Sequence, residues 1–156
     1  MLKRKALTPG PYNWQSLSMA NCYQFALGYR EDLWDRKLMP GDFVRHSMPD
    51  GYRYTDNQIV NLVNQDLSVL GYELHECDKD ANIGAGEWMI CILNCSRAER
   101  EYDFHFVVRF STGGLWYQKF VGKQIPGVID SPETECSNYY YNYHVVSYYK
   151  IKKVEE

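Results

Sequence analysis

Cys22 and His105 are the two side chains whose types could form a nucleophile and its base. A thiol attacks as its thiolate, and two things favour that form: the unpaired N–H groups at the start of a helix, and a nearby imidazolium. Cys22 stands where the first is expected. Ser18 or Asn21 can cap a helix through Cys22-Tyr-Gln-Phe-Ala-Leu to about Gly28, and Phe25 and Ala26, three and four positions on, make the cysteine's face apolar. His105 would supply the second. It lies in an alternating run that places Phe104, Phe106, Val108 and Phe110 on one strand face and Asp103, His105, Val107 and Arg109 on the other. The competing readings are a cysteine that only packs its helix against a sheet, and a half-buried histidine satisfied by its neighbours.

The elements that must bring the pair together follow from the same patterns. Residues 1–17 read as an extended arm, because Pro9-Gly10-Pro11 cannot continue a helix. Residues 29–54 read as loop, with turns at Pro40-Gly41-Asp42 and Pro49-Asp50-Gly51. The clearest helix spans Asp56 to Leu70, capped by Thr55, striped by Ile59, Leu62, Val63 and Leu70, and stopped by Gly71. Strand signals follow at Tyr72–His75, at the continuous apolar run Trp88–Leu93, and at Asp103–Phe110. Ser111-Thr-Gly-Gly then turns into Leu115–Phe120, and Tyr143–Ile151 is the last strand before a charged tail, 152–156. Helices first and antiparallel strands after predict an α+β fold in one domain, with N-terminal helices on a sheet of about five strands.

Composition narrows the function classes. The 156 residues are 45% hydrophobic and 24% charged, which fits a globular chain. Fourteen tyrosines and four tryptophans favour strands and a surface able to grip a ligand. A net charge of −3 offers no field for a phosphate backbone, so no nucleic-acid partner is expected. No apolar run is long enough to span a membrane, and the basic start meets Pro9, Pro11, Asn13 and Gln15 rather than an apolar stretch. Five cysteines without a regular framework point to a reducing, cytoplasmic setting. Cys91 and Cys95 would stand about 13 Å apart on a strand, so neither a metal nor another cofactor is expected. His46, His75 and His144 read as structural, and Gly84-Ala-Gly86 as a turn. The tyrosine run 138–143 reads as core and rim packing in preference to a stacking platform.

Three stretches together, Asn21-Cys22-Tyr23-Gln24-Phe25-Ala26-Leu27, Asp103-Phe104-His105-Phe106 and Trp116-Tyr117-Gln118-Lys119, resemble the papain-like cysteine peptidase superfamily. The likeness is greatest to its NlpC/P60-like branch, and within that to a bacterial and phage group with an Asn-Cys-Tyr-x-x-Ala-Leu box, an Asp-Tyr-His-Phe-like strand and a Trp-x-His-Lys segment. The resemblance covers about a quarter of the chain. It implies a papain-like core with Cys22 as nucleophile, His105 as base, and Gln118 in the place of the third residue that orients the imidazole. The group has histidine there; glutamine can still accept an imidazole N–H through its amide oxygen. Asp130 is the alternative third residue. The resemblance also implies an oxyanion held by the Cys22 backbone N–H and by Gln15 or Asn13, with Trp116 and Tyr23 along the substrate groove.

The activity implied is acyl transfer through a thioester, cleaving an amide bond in a peptide or peptidoglycan stem without a cofactor. Two alternatives share the scaffold: an inactive papain-like module that binds a peptide or glycan, and a toxin-like glutamine deamidase or transglutaminase.

Overall fold

A computed structural model describes residues 2–33, 36–44, 53–95, 102–137 and 142–155. The predicted turn at Pro49-Asp50-Gly51, His46, and most of the tyrosine run 138–143 lie outside them. The chain forms an α+β fold with few helices and one six-stranded antiparallel sheet. Its strands are β1 (Tyr72–Cys77), β2 (Trp88–Cys95), β3 (Phe104–Arg109), β4 (Trp116–Gln118), β5 (Gly127–Ile129) and β6 (Tyr143–Lys153), in the order β1-β6-β2-β3-β4-β5. The sixth strand is β5, whose three residues carry too little pattern to stand out in a sequence. A 3-10 segment, Pro132–Ser137, was equally without signal.

Helix α1 (Cys22–Leu27) is short and wholly buried, so its ends matter more than its propensity. Asn21, in extended backbone, accepts the Gln24 N–H at 3.0 Å; Gly28 closes the helix at φ 69°. Gly28 is required twice over, because a Cβ there would also sit 2.6 Å from the nitrogen of Pro9. That contact belongs to the N-terminal arm, which is more structured than a simple extended segment. It contains a 3-10 turn (Gln15–Leu17), and it buries Trp14 edge-on against Phe25 with ring centroids 5.3 Å apart. Arg30 lies over Trp14 at 4.3 Å and donates to the carbonyls of Thr8, Gly10 and Asn13, which ties the arm down.

Helix α2 (Asp56–Leu70) has the capping box that Thr55 and Gln58 allow, and ends at Gly71 in the left-handed region. Its buried face runs through Ile59, Leu62, Val63, Asp66 and Leu67, with Leu70 at its edge. Both helices pack on one face of the sheet, against Trp88, Ile90 and Ile92 of β2 and Phe104, Phe106 and Val108 of β3. The Trp88 Nε1–H donates to the carbonyl of Ala26 at 2.8 Å and pins β2 to α1. The opposite face has its own smaller core of Met89, Cys91, Leu93, Val107, Trp116 and Tyr143. Burial on both faces explains why β2 reads as a continuous apolar run: it is central, between β6 and β3. β6 continues to Lys153, which pairs with Tyr72, so the tail's first two residues belong to the sheet.

Candidate active site

The site forms where the sheet opens. β4 pairs with β3 only at Val108↔Tyr117 and Arg109↔Trp116, which leaves the Phe104–Phe106 edge of β3 without a strand partner on that side. The start of α1 lies against this edge: the Tyr23 ring packs on Phe106 with centroids 5.0 Å apart. A cavity of about 410 Å³ results, lined by Cys22, Asp103, His105, Lys119, Phe120 and Met39 among others. The nucleophile and base expected from the sequence therefore share one cavity, although they come from different layers. Cys22 belongs to the helix-side core, whereas His105 shares its strand face with Val107, opposite Leu93 and Cys91.

His105 Nε2 lies 2.7 Å from Oε1 of Gln118. An amide oxygen can only accept, so Nε2 carries the proton and Nδ1 is left as the basic nitrogen. Among the described residues Nδ1 has no hydrogen-bond partner. The ring is held flat by stacking on Phe120 (5.2 Å, 8° between planes) and Tyr143 (5.9 Å, 28°). Tyr143 also donates its hydroxyl to Asp103 Oδ2 at 2.6 Å.

Electrostatics corrects one expectation. The Cys22 thiol is not held as a thiolate by its helix start; burial, and then the Asp103 carboxylate, push it up to about 12. The backbone groups of Phe106, Tyr23 and Cys22 itself act in the other direction without prevailing. A helix of six residues presents a weak dipole, and desolvation of a buried anion outweighs it. Burial likewise holds His105 below the ordinary histidine value, opposed by its bond to Gln118 and by Glu135 and Asp103. Burial thus favours a neutral thiol and a neutral imidazole at rest, and the two share the cavity without a hydrogen bond between them.

Several assigned positions lie elsewhere. Gln15 and Asn13 are exposed on the arm and line no part of the Cys22 cavity, so neither completes an oxyanion site there. Trp116 is buried in the second core between Arg109 (4.5 Å) and the tilted Tyr148 ring (5.9 Å), and lines no part of the Cys22 cavity. Tyr23 is buried too, with its hydroxyl turned inward to Asp66 at 2.5 Å. Asp130 is exposed beside Arg109 in a separate pocket and leaves the orienting position to Gln118. His144 meets Asp56 at 2.9 Å and His75 meets Glu73 at 3.0 Å. No cluster of three or more His, Cys, Asp or Glu side chains suited to a metal occurs among the described residues, and no helix among them is long and apolar enough to cross a membrane.

Lys119 is the participant that sequence reasoning passed over, because a lysine is almost never fully buried without partners. Here it is completely enclosed and donates to the carbonyls of Ser18 (3.0 Å), Ala20 (2.8 Å) and Phe120 (3.3 Å). Burial lowers its ammonium to about 8. The Ser18 and Ala20 carbonyls precede Asn21 and Cys22, so Lys119 fixes the approach of the chain to the thiol. The signal for it was the lysine that ends the Trp-x-His-Lys segment. Phe120 (48% exposed) and Met19 (62% exposed) add two of the molecule's exposed large apolar side chains around this feature.

Comparison of the chain with protein-family models, with curated proteins and with solved structures finds no match in any of the three.

Proposed function

We propose that the chain is a cysteine hydrolase with a papain-like, NlpC/P60-like core that cleaves an amide bond in a peptide or peptidoglycan stem. The observation that carries this reading is the His105–Gln118 bond in the cavity that Cys22 also lines. One cavity is lined by a thiol and an imidazole whose Nε2 is fixed by an acceptor, so that Nδ1 is left to act as a base. The chain order of cysteine-bearing helix, histidine strand and third residue on the next strand is that of the papain-like scaffold.

The chemistry follows from the neutral resting pair. The Cys22 S–H proton passes to His105 Nδ1 as the sulfur bonds to the substrate carbonyl carbon and the carbonyl electron pair moves to oxygen. The Cys22 N–H, in the first turn of α1 and without a helical acceptor, is placed to donate to that oxygen. Collapse expels the amine, which takes its proton from His105 and leaves a thioester on Cys22. Water then attacks with His105 again as base, releasing the acid and restoring the thiol.

The test is peptide mapping after iodoacetamide treatment, joined to turnover of peptide and peptidoglycan-stem substrates. Cys22 should label faster than Cys77, Cys95 and Cys136, and should lose that advantage in His105→Ala. Cys22→Ala should keep the folded spectrum and lose turnover by on the order of 10³-fold or more. Labelling of Cys22 no faster than the others, together with no turnover, would end the hydrolase reading.

One observation favours a second reading. Burial moves Cys22 up and His105 down, and both shifts oppose a thiolate–imidazolium pair. A non-catalytic papain-like module holding a peptide or glycan in the same cavity has no need of that pair. In that case Cys22→Ser binds the ligand as tightly as the parent chain, and neither protein turns it over.

A further inference from the structure

Resting on the hydrolase reading, we propose that Asp103, clamped by Tyr143, is the positioning residue that gives the His105 imidazolium the negative charge the neutral Gln118 does not carry. Asp103 lies two residues before His105, on the same face by strand alternation, and lines the cavity with His105 and Cys22. Tyr143, the first residue of β6, touches both: its hydroxyl holds Oδ2 of Asp103 at 2.6 Å while its ring stacks on the imidazole. A single side chain thus sets the carboxylate and the ring in register.

The chemistry calls for such a group. Once His105 takes the thiol proton it is a buried cation, and an amide oxygen accepts its N–H without contributing a net charge. The charged and titratable groups around it are Asp103 just before its strand, Glu135 of the 3-10 segment, Lys119 after β4, Lys37 across the cavity, and Cys22. Glu135 acts on His105 more strongly than Asp103 does, but it does not line the cavity and is not among the main influences on the thiol. Asp103 acts on both: it keeps the proton on Cys22 at rest and favours the imidazolium once the proton has moved. The ammonium of Lys119 is turned to three carbonyls.

The experiment follows the His105 ring resonances by NMR titration in the parent chain, Asp103→Asn and Glu135→Gln, with iodoacetamide labelling of Cys22 at pH 8. In Asp103→Asn the His105 midpoint should fall by on the order of one pH unit. Cys22 should label faster, by roughly tenfold for each unit its thiol falls. Glu135→Gln should lower the His105 midpoint and leave Cys22 labelling unchanged. A folded Asp103→Asn chain with both readouts at parental values overturns the proposal. If that variant fails to fold, the parent chain decides: the Asp103 carboxyl resonance must move as His105 titrates, and one that ignores that titration overturns it. Absence of turnover counts against the hydrolase reading alone, because the His105 midpoints are read without a substrate.

Discussion

Asp66 and His105 are both buried titratable groups, one at the middle of α2 and one on β3. Asp66 commits both carboxylate oxygens: Oδ2 accepts the Tyr23 hydroxyl (2.5 Å) and the Gly41 N–H (2.8 Å), and Oδ1 accepts the Phe43 N–H (3.0 Å). His105 commits one nitrogen to Gln118 and turns toward a cavity. The first arrangement is closed. It joins α1, α2 and the 3-10 turn Asp42–Val44 into one unit, as a buried carboxylate must if its donors are to offset lost hydration. The second is left incomplete at one nitrogen, and a thiol lines the same cavity. Burial alone therefore does not mark a site; a buried polar group with one unmet valence facing a cavity does.

Asp66→Ala is the hardest test of that contrast. It strands the Tyr23 hydroxyl and two backbone N–H groups in the core, so unfolding in urea should show a loss of about 3 kcal/mol. The chemistry of any molecules that remain folded should be unaffected, because Asp66 lines no part of the Cys22 cavity. A drop in turnover per folded molecule as large as that of Cys22→Ala would erase the distinction between the two regions.

Asp66 also has a signature in pH. Burial raises it from 3.8 to about 6, against the pull of Tyr23, Gly41 and Phe43. The folded state then binds the proton more tightly than the unfolded one, so this group's contribution is fully present below about pH 4 and is lost as pH rises through about 6. The urea midpoint of the parent chain should fall over that interval relative to Asp66→Asn, which has no proton to lose. Parallel pH profiles for the two proteins would show that the three donors keep Asp66 ionised throughout.

Much of this architecture was legible because local chemistry and tertiary structure agree. Thr55, Gln58 and Gly71 delimit α2 by capping alone; Asn21 and Gly28 delimit α1; and the alternation around His105 gives its strand face correctly. The short β5 and the 3-10 segment Pro132–Ser137 carry no periodicity and owe their conformations to neighbours distant in sequence. Of the candidate site, the sharing of one cavity by Cys22 and His105 and the pairing of His105 with Gln118 were legible. Its surroundings were not, because Trp116 and Tyr23 are amphipathic residues that serve a core as readily as a groove. Gln15 and Asn13 are close to Cys22 in the chain, but both are exposed on the arm and outside its cavity. Lys119 and Tyr143 depend on contacts to residues 101 and 40 positions away, which no spacing rule encodes.

Lys119→Met should cost about 2 kcal/mol in urea unfolding, because it leaves three carbonyls around Cys22 without their donor. Its second effect sharpens the contrast: loosening residues 18–20 should change the labelling rate of Cys22 but not that of Cys91, which lies in the other core. An equal change at both cysteines would mean general loosening of the fold in place of a local role at the thiol.

Gln118→Ala is the smallest change and the most exposed to refutation. The side chain is buried and makes one bond to His105, so its removal should lower stability by no more than about 1 kcal/mol. The imidazole then loses the acceptor that keeps its proton on Nε2, and the tautomer with the proton on Nδ1 cannot take one from sulfur. Because the lost partner is neutral, turnover should fall by only about tenfold, far less than for removal of a buried carboxylate partner. Gln118→Glu should restore the acceptor and add charge, raising the His105 midpoint above the parental value. If Gln118→Ala turns over at the parental rate, the bond at 2.7 Å belongs with Asp66 among the closed structural contacts, and His105 is oriented by its stacking on Phe120 and Tyr143 alone.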